Sequence, residues 1–271
     1  MNHFIHYIRR NIVVSTSKKE LNTPTPFYAE EQSGRLGILA PEWHITRATQ
    51  GAATRIKADD VIWIFAQLYS PWGELPPSLD AKIIVKGVES STPGNKPVLR
   101  FIAKPESRWY PCLDAKEHLK QLRTINSKSE IAALWGNPTT PIGHFLQSMR
   151  QLESIDLMKA WEEKIDELPF DFISYRIKDG THSAWLQMDD LIKQGRAVFW
   201  DRWSLPRRMV ERLDMLEDTS LISYLYDRID KCRAVIPVLS PMYGAPGSYS
   251  ALEINYAREK GKIQQGMGII I

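Results

Sequence analysis

The chain has 271 residues, 43% hydrophobic and 25% charged, with 35 Lys and Arg against 32 Asp and Glu for a net charge of +3. That is enough apolar material for one large domain or two ordinary ones, so global disorder is excluded, and the charge is too small to argue nucleic-acid binding. The longest apolar run, Val61–Ala66, falls far short of the ~20 residues of a membrane-spanning helix, and the two cysteines, Cys112 and Cys232, supply neither a disulfide framework nor a zinc site. His3, His6, Arg9 and Arg10 interrupt the opening residues, which read as no signal peptide, so a reducing, cytoplasmic location is the expectation.

From Met1 to about Arg150, short strand-like runs alternate with Pro- and Gly-rich turns. The runs are Asn11–Thr16, Val61–Leu68, Lys82–Val88 and Val98–Ala103. They predict a mainly β or α+β domain over residues 1–155, a small barrel being one form of it. Asp114 is placed to cap a helix over Ala115–Leu122, and Phe145, Met149 and Leu152 fall at helical spacing in Gly143–Leu152. Six of the nine tryptophans precede residue 166. The amphipathic stretch Asp156–Leu168, with Leu157, Trp161, Ile165 and Leu168 on one face, reads as a connector helix that Pro169 stops.

Residues 169–271 alternate strand and helix. Strands are predicted at Phe170–Tyr175, Ala197–Trp200, Ala234–Leu239 and Gly268–Ile271, with helices at Thr181–Gln194, Thr219–Cys232 and Ser250–Lys260. Such a pattern predicts a parallel sheet, in strand order 2-1-3-4 with helices on both faces, whose site lies outside the carboxyl ends of the strands. Those ends are Ser174-Tyr175-Arg176, Asp201-Arg202-Trp203 and Ser240-Pro241-Met242-Tyr243. Beyond the third, Ser248 or Ser250 is able to cap the next helix, on which Tyr249 and Glu253 share a face. Glu253 stands between Leu252 and Ile254. The residue pattern leaves two readings of it open: a carboxylate of a site, or a solvated residue favoured by the helix dipole. The sequence has no phosphate-binding glycine loop, no GxGxxG after a strand, no HExxH and no GxSxG. Phosphoryl transfer, hydride transfer and serine hydrolysis therefore lack a motif.

Four segments in order resemble the motifs of Toll/interleukin-receptor (TIR) domains. They are Phe170–Arg176 (FDFISYR), Gly195–Asp201 (GRAVFWD), Ala234–Tyr243 (AVIPVLSPMY) and Tyr249–Glu253 (YSALE). The resemblance implies a flavodoxin-like α/β fold and, for many members, cleavage of NAD+ at the nicotinamide–ribose bond by a glutamate that maps onto Glu253. NAD+ is then substrate, and neither cofactor nor metal is implied. The family's first-strand Tyr and Arg map onto Tyr175 and Arg176, and its aromatic four residues before the glutamate onto Tyr249; with Asp201, which ends the second motif, and Trp203, which either stacks on a ring or packs over the sheet edge, these are the expected ligand-binding residues. Arg176 would pair with the pyrophosphate, and Tyr249 would stack on a ring. The chain departs from the family pattern at Ile177, where many members have Arg, at Tyr249, where Trp is commoner, and in Arg202–Arg208, which has no Gly. The sequence stops at the fourth strand, where the resemblance implies a fifth; the expectation is that the N-terminal half or a second chain covers the edge.

Asp59-Asp60-Val61-Ile62-Trp63 is similar to the strand opening of PUA-like and ASCH or EVE barrels, which bind nucleic acids or nucleotides. Together the two resemblances imply a sensor for such a trigger joined to an effector that self-associates through its TIR-like half and acts as an NADase or ADP-ribosyl cyclase in bacterial anti-phage defence. The alternatives are a nucleoside deoxyribosyltransferase-like enzyme and a non-enzymatic TIR adaptor or virulence mimic.

Overall fold

The computed structural model describes residues 1–13, 23–25, 40–46, 51–70, 72–92, 97–125, 149–201 and 219–263. Trp203, the loop Arg202–Arg208 and the expected fourth strand Gly268–Ile271 lie outside them, as does the end of the expected strand Asn11–Thr16. Among the described residues the molecule is α/β, with a mixed, curled sheet, a small parallel sheet and five α-helices.

The curled sheet runs through β1 (His3–Val13), β2 (Thr23–Thr25), β3 (Trp43–Thr46), β4 (Val61–Ser70), β6 (Ser78–Ser91) and β7 (Val98–Ala103) in the order β2-β1-β4-β6-β7-β3. Three short pieces join it: β5 (Gly73–Glu74) on β4, β8 (Arg108–Trp109) on β6 and β9 (Arg150–Gln151) on β1. Among the described residues of this sheet only β1 and β4 pair in parallel. The curl brings β1 back to β3, four strands further along, where His6 Nδ1 meets His44 Nε2 at 2.7 Å inside the fold. Both faces of β4 are covered: Ile62, Ile64 and Ala66 join one core and Val61, Trp63 and Phe65 another. A strand buried on both sides reads as a continuous apolar run, which is why VIWIFAQL was legible.

Two helices close this half. The first, α1 (Lys116–Gln121), starts where Asp114 Oδ1 accepts from the Lys116 N–H at 2.8 Å. The second, α2 (Asp156–Glu167), packs Met158, Trp161 and Ile165 onto Ile5, Trp63 and Leu119. Its charged side is tied to the sheet as well, Glu162 to Lys82 and Tyr110 and Asp166 to Arg108. The buried stripe contains Met158, whereas Leu157, expected on it, is exposed. A second correction concerns Gly143–Leu152: its described end is strand, Arg150 and Gln151 pairing with Ile5 and Phe4. Helical spacing of three apolar residues was outweighed there by backbone pairing with β1.

The parallel sheet is β11-β10-β12, with β10 at Phe170–Tyr175, β11 at Ala197–Phe199 and β12 at Ala234–Val238. This is the expected 2-1-3 order, and Ile263 begins to pair in parallel on the outer edge of β12. Alternation along the strands splits the side chains. Phe172, Phe199 and Val235 face α4 (Thr219–Lys231) and α5 (Tyr249–Glu259), while Ile173, Val198 and Ile236 face α3 (Ile177–Lys193). The helix α3 begins four residues before the expected Thr181, whose hydroxyl lies inside the helix, bonds back to the Ile177 carbonyl at 2.7 Å and caps nothing. It ends in a Schellman turn, Gly195 at φ +75° with its N–H on the Ile192 carbonyl and the Arg196 N–H on that of Leu191.

The two sheets meet directly. Cys112 exchanges both backbone hydrogen bonds with Val198, each 2.8 Å, so the N-terminal half covers the outer edge of β11. Trp185 and Trp200 share one core cluster with Ile62, Ile83 and Phe101. Among the described residues no helix is long and apolar enough to cross a membrane.

Candidate active site

The carboxyl ends of β10 and β11, the turn Ala245–Ser248 and the start of α5 border a cavity of about 250 Å³ lined by Tyr175, Arg176, Asp201, Tyr249, Ser250 and Glu253 among others. Five of the six residues expected from sequence therefore come to one place, and the sixth, Trp203, lies outside the described residues.

The approach to α5 is built by glycine and serine. Gly244 and Gly247 take φ of +72° and +78°, a region other residues enter only with strain, and they turn the chain back toward the sheet. Of the two candidate caps, Ser248 is the one used: its Oγ accepts from the Ala251 N–H at 3.2 Å and donates to the Ala245 carbonyl. Ser250 Oγ accepts from the Gly244 N–H. The helix so placed points Tyr249 and Glu253, one turn apart, into the same cavity.

Glu253 is buried, at 9% exposure, which overturns the reading of it as a solvated helix residue. Its Oε2 accepts a 2.6 Å hydrogen bond from Ser174 Oγ, and Ser174 is itself bonded to the Tyr243 hydroxyl at 2.9 Å. Burial is the main influence on the carboxyl group. The Ser174 bond opposes it and the nearby Asp201 charge adds to it, so its pKa is pushed up to about 8. Burial likewise pushes the Tyr243 phenol above its ordinary value.

Asp201 is fixed by the neighbouring position of the same strand. Tyr175 donates to its Oδ1 at 2.7 Å. Consecutive residues Ser174 and Tyr175 thus each hold one carboxylate, one on either side of the end of β10. Arg176 is not free for a ligand in this state: its Nη1 bonds Asp179 at 3.3 Å, and Asp179 also accepts from Ser240 Oγ at 2.8 Å. An anionic ligand at Arg176 has to compete with Asp179 for the guanidinium.

Ser174, Tyr243 and Asp179 were not among the residues expected to form the site. The first two stood at strand ends in the sequence, but single hydroxyls at strand ends carry no spacing signal. Among the described residues, no group of three or more His, Cys, Asp or Glu is placed to hold a metal ion.

No protein-family model matches the chain, and no curated protein or solved structure matches it significantly.

Proposed function

We propose that residues 169–271 form a flavodoxin-like TIR-type domain and that the chain cleaves NAD+ at the nicotinamide–ribose bond, as a glycohydrolase or cyclase, with Glu253 as its catalytic carboxylate. The observation that carries this reading is the buried Glu253 beside Asp201 in a cleft at the carboxyl edge of a parallel sheet. Ligands bind at that edge in open α/β sheets. The motif resemblance supports the assignment independently of the geometry.

The chemistry asks little of the protein. Nicotinamide leaves the cationic pyridinium as a neutral base and needs no proton. The transition state is oxocarbenium-like, as in glycoside hydrolysis, so a carboxylate against the ribose stabilises the charge that develops. Asp201, anchored by Tyr175, supplies a second acceptor for sugar hydroxyls, and Tyr249 a ring face for the base. The positive pyridinium also favours the ionised form of Glu253, so substrate binding releases a proton from it. The N-terminal half acts in this reading as the sensor of a nucleotide or nucleic-acid trigger, and the whole as an effector of bacterial anti-phage defence that self-associates.

The cavity of about 250 Å³ suits one nucleoside better than a dinucleotide. That size favours a second reading, a nucleoside deoxyribosyltransferase, which also places a carboxylate at ribose.

The test is nicotinamide release from NAD+ by the purified full chain over a range of protein concentrations, beside the Glu253→Gln variant. Release by the wild type and a loss of at least 10²–10³ in turnover in Glu253→Gln is expected, the usual cost of one preorganised electrostatic contact. Undiminished release by Glu253→Gln overturns the assignment. Base exchange on deoxynucleosides with NAD+ left intact selects the second reading.

A further inference from the structure

We infer that Ser174 and Tyr243 are positioning residues: a one-way hydrogen-bond relay, from the Tyr243 phenol through the Ser174 hydroxyl to Oε2 of ionised Glu253, fixes that carboxylate so that its other oxygen serves the ligand. The inference rests on the reading of Glu253 just given and assigns the residues that control it.

The direction of the relay follows from proton counting. An ionised carboxylate only accepts, so the single proton of the Ser174 hydroxyl goes to Glu253 at 2.6 Å. Ser174 then has only lone pairs for its second partner, and the 2.9 Å contact with Tyr243 requires the phenol to donate. The three groups come from three elements: β10, the turn after β12, and α5. Alternation along β10 turns Ser174 toward the α4–α5 layer and Tyr175 the other way, so this position alone on the strand end reaches Glu253. Ser174 is fully buried, and it stands behind Glu253 rather than in the cavity wall. It therefore touches the carboxylate and not a ligand.

The surroundings make the relay consequential. Asp201 just after β11 is the ionisable group acting on Glu253; Glu253 in turn acts on Tyr226 of α4 and on Tyr243, on which Arg258 of α5 acts as well. Among the described residues no Lys or Arg forms an ion pair with Glu253. Burial and Asp201 both oppose its charge, and the Ser174 bond favours it. The relay is what makes the charged form attainable near neutral pH.

The experiment is a carbon-13 NMR titration of the Glu253 carboxyl in the ligand-free full chain, its signal assigned with Glu253→Gln. It is run on wild type, Ser174→Ala, Tyr243→Phe, the double variant and Ser174→Thr. The expected result is a midpoint raised by about one pH unit in Ser174→Ala, raised less in Tyr243→Phe, and raised no further in the double variant, because the bonds act in series. Ser174→Thr keeps the hydroxyl and stays near wild type. Nicotinamide release at pH 7 falls about tenfold in Ser174→Ala and recovers as pH rises, whereas a packing defect lowers it equally at every pH. A Glu253 midpoint unchanged in both Tyr243→Phe and Ser174→Ala, each with a native amide spectrum, overturns the relay; should Ser174→Ala not fold, an unchanged midpoint in Tyr243→Phe does so alone. The titration reads the relay and nicotinamide release reads the function. Shifted midpoints without release from any version therefore overturn the NADase reading and leave the relay standing.

Discussion

Burial in the cleft pushes the pKa of Glu253 up to about 8, and the fold must register that shift. In the unfolded chain the group ionises at its ordinary value near 4.5. Between those two values the native state binds a proton that the unfolded state has lost, so stability falls as pH rises through the window. The contribution is complete below about pH 4.5 and gone above about 8. Glu253→Gln cannot ionise and carries no such slope. The melting temperature of Glu253→Gln minus that of wild type is therefore expected to grow from pH 5 to pH 8.5, scanned calorimetrically at matched ionic strength. A difference constant across that range contradicts a buried, neutral Glu253. Sequence reasoning reached Glu253 through the spacing of Tyr249 and the YSALE motif, but not its burial. The dipole-friendly and the buried glutamate look alike in one dimension, because what excludes water is Ser174 and Tyr243, 79 and 10 residues away along the chain.

At the scale of elements, the parallel sheet is clamped at its amino-terminal end by one carboxylate. Asp171, fully buried near the start of β10, pairs with Arg233 just before β12 at 2.7 Å and with Arg196 just before β11 at 2.6 Å. One side chain thus joins the entrances of all three strands, opposite the edge where Glu253 and Asp201 sit. Removing its charge leaves Arg196, at 16% exposure, without a counter-ion, and unpairing a buried charge costs about 3–5 kcal/mol. Asp171→Asn is expected to lose stability of that order in urea denaturation. Arg233→Gln loses less, since Arg233 is nearly half exposed. An Asp171→Asn cost within about 0.5 kcal/mol of zero, the range of ordinary surface substitutions, counts against the clamp. The elements around this clamp were legible because each carries an unbroken period: FDFISY, AVF and AVIPV as buried strands, and TSLISYLYDRIDK as an amphipathic helix. In the N-terminal half the signal failed where the pattern was mixed. β1 reads HFIHYIRRNIV, with histidines and arginines among its apolar residues, and only its last residues looked like strand. The histidines belong there because the curl turns His6 inward onto His44, a pairing 38 residues apart that no local period encodes.

At the scale of the molecule, the sequence divides into an N-terminal unit, a connector and a C-terminal unit, while the packing joins them. The connector helix α2 lies on the curled sheet through Met158, Trp161 and Ile165. Cys112 pairs with Val198 on the edge of β11, three residues before Asp201. Trp72, from the turn after β4, stacks on His182 at 4.8 Å and lies against Trp185, both on α3, the helix that follows Arg176. Trp185, Met188, Leu191 and Trp200 all belong to the cluster that also holds Ile62, Ile83 and Phe101. Each such side chain contributes about 1.5–3 kcal/mol when buried, and a domain's whole stability is only about 5–15 kcal/mol. Stripping the N-terminal half from residues 169–271 uncovers part of this surface and leaves the Val198 backbone groups unpaired. The expected outcome is one cooperative transition for the full chain, with tryptophan fluorescence and far-ultraviolet circular dichroism tracing the same denaturation curve. A fragment of residues 169–271 is expected to bind hydrophobic dye and show no cooperative melt. Two separated transitions in the full chain, or a fragment that melts as sharply as the whole, show the halves to be independent.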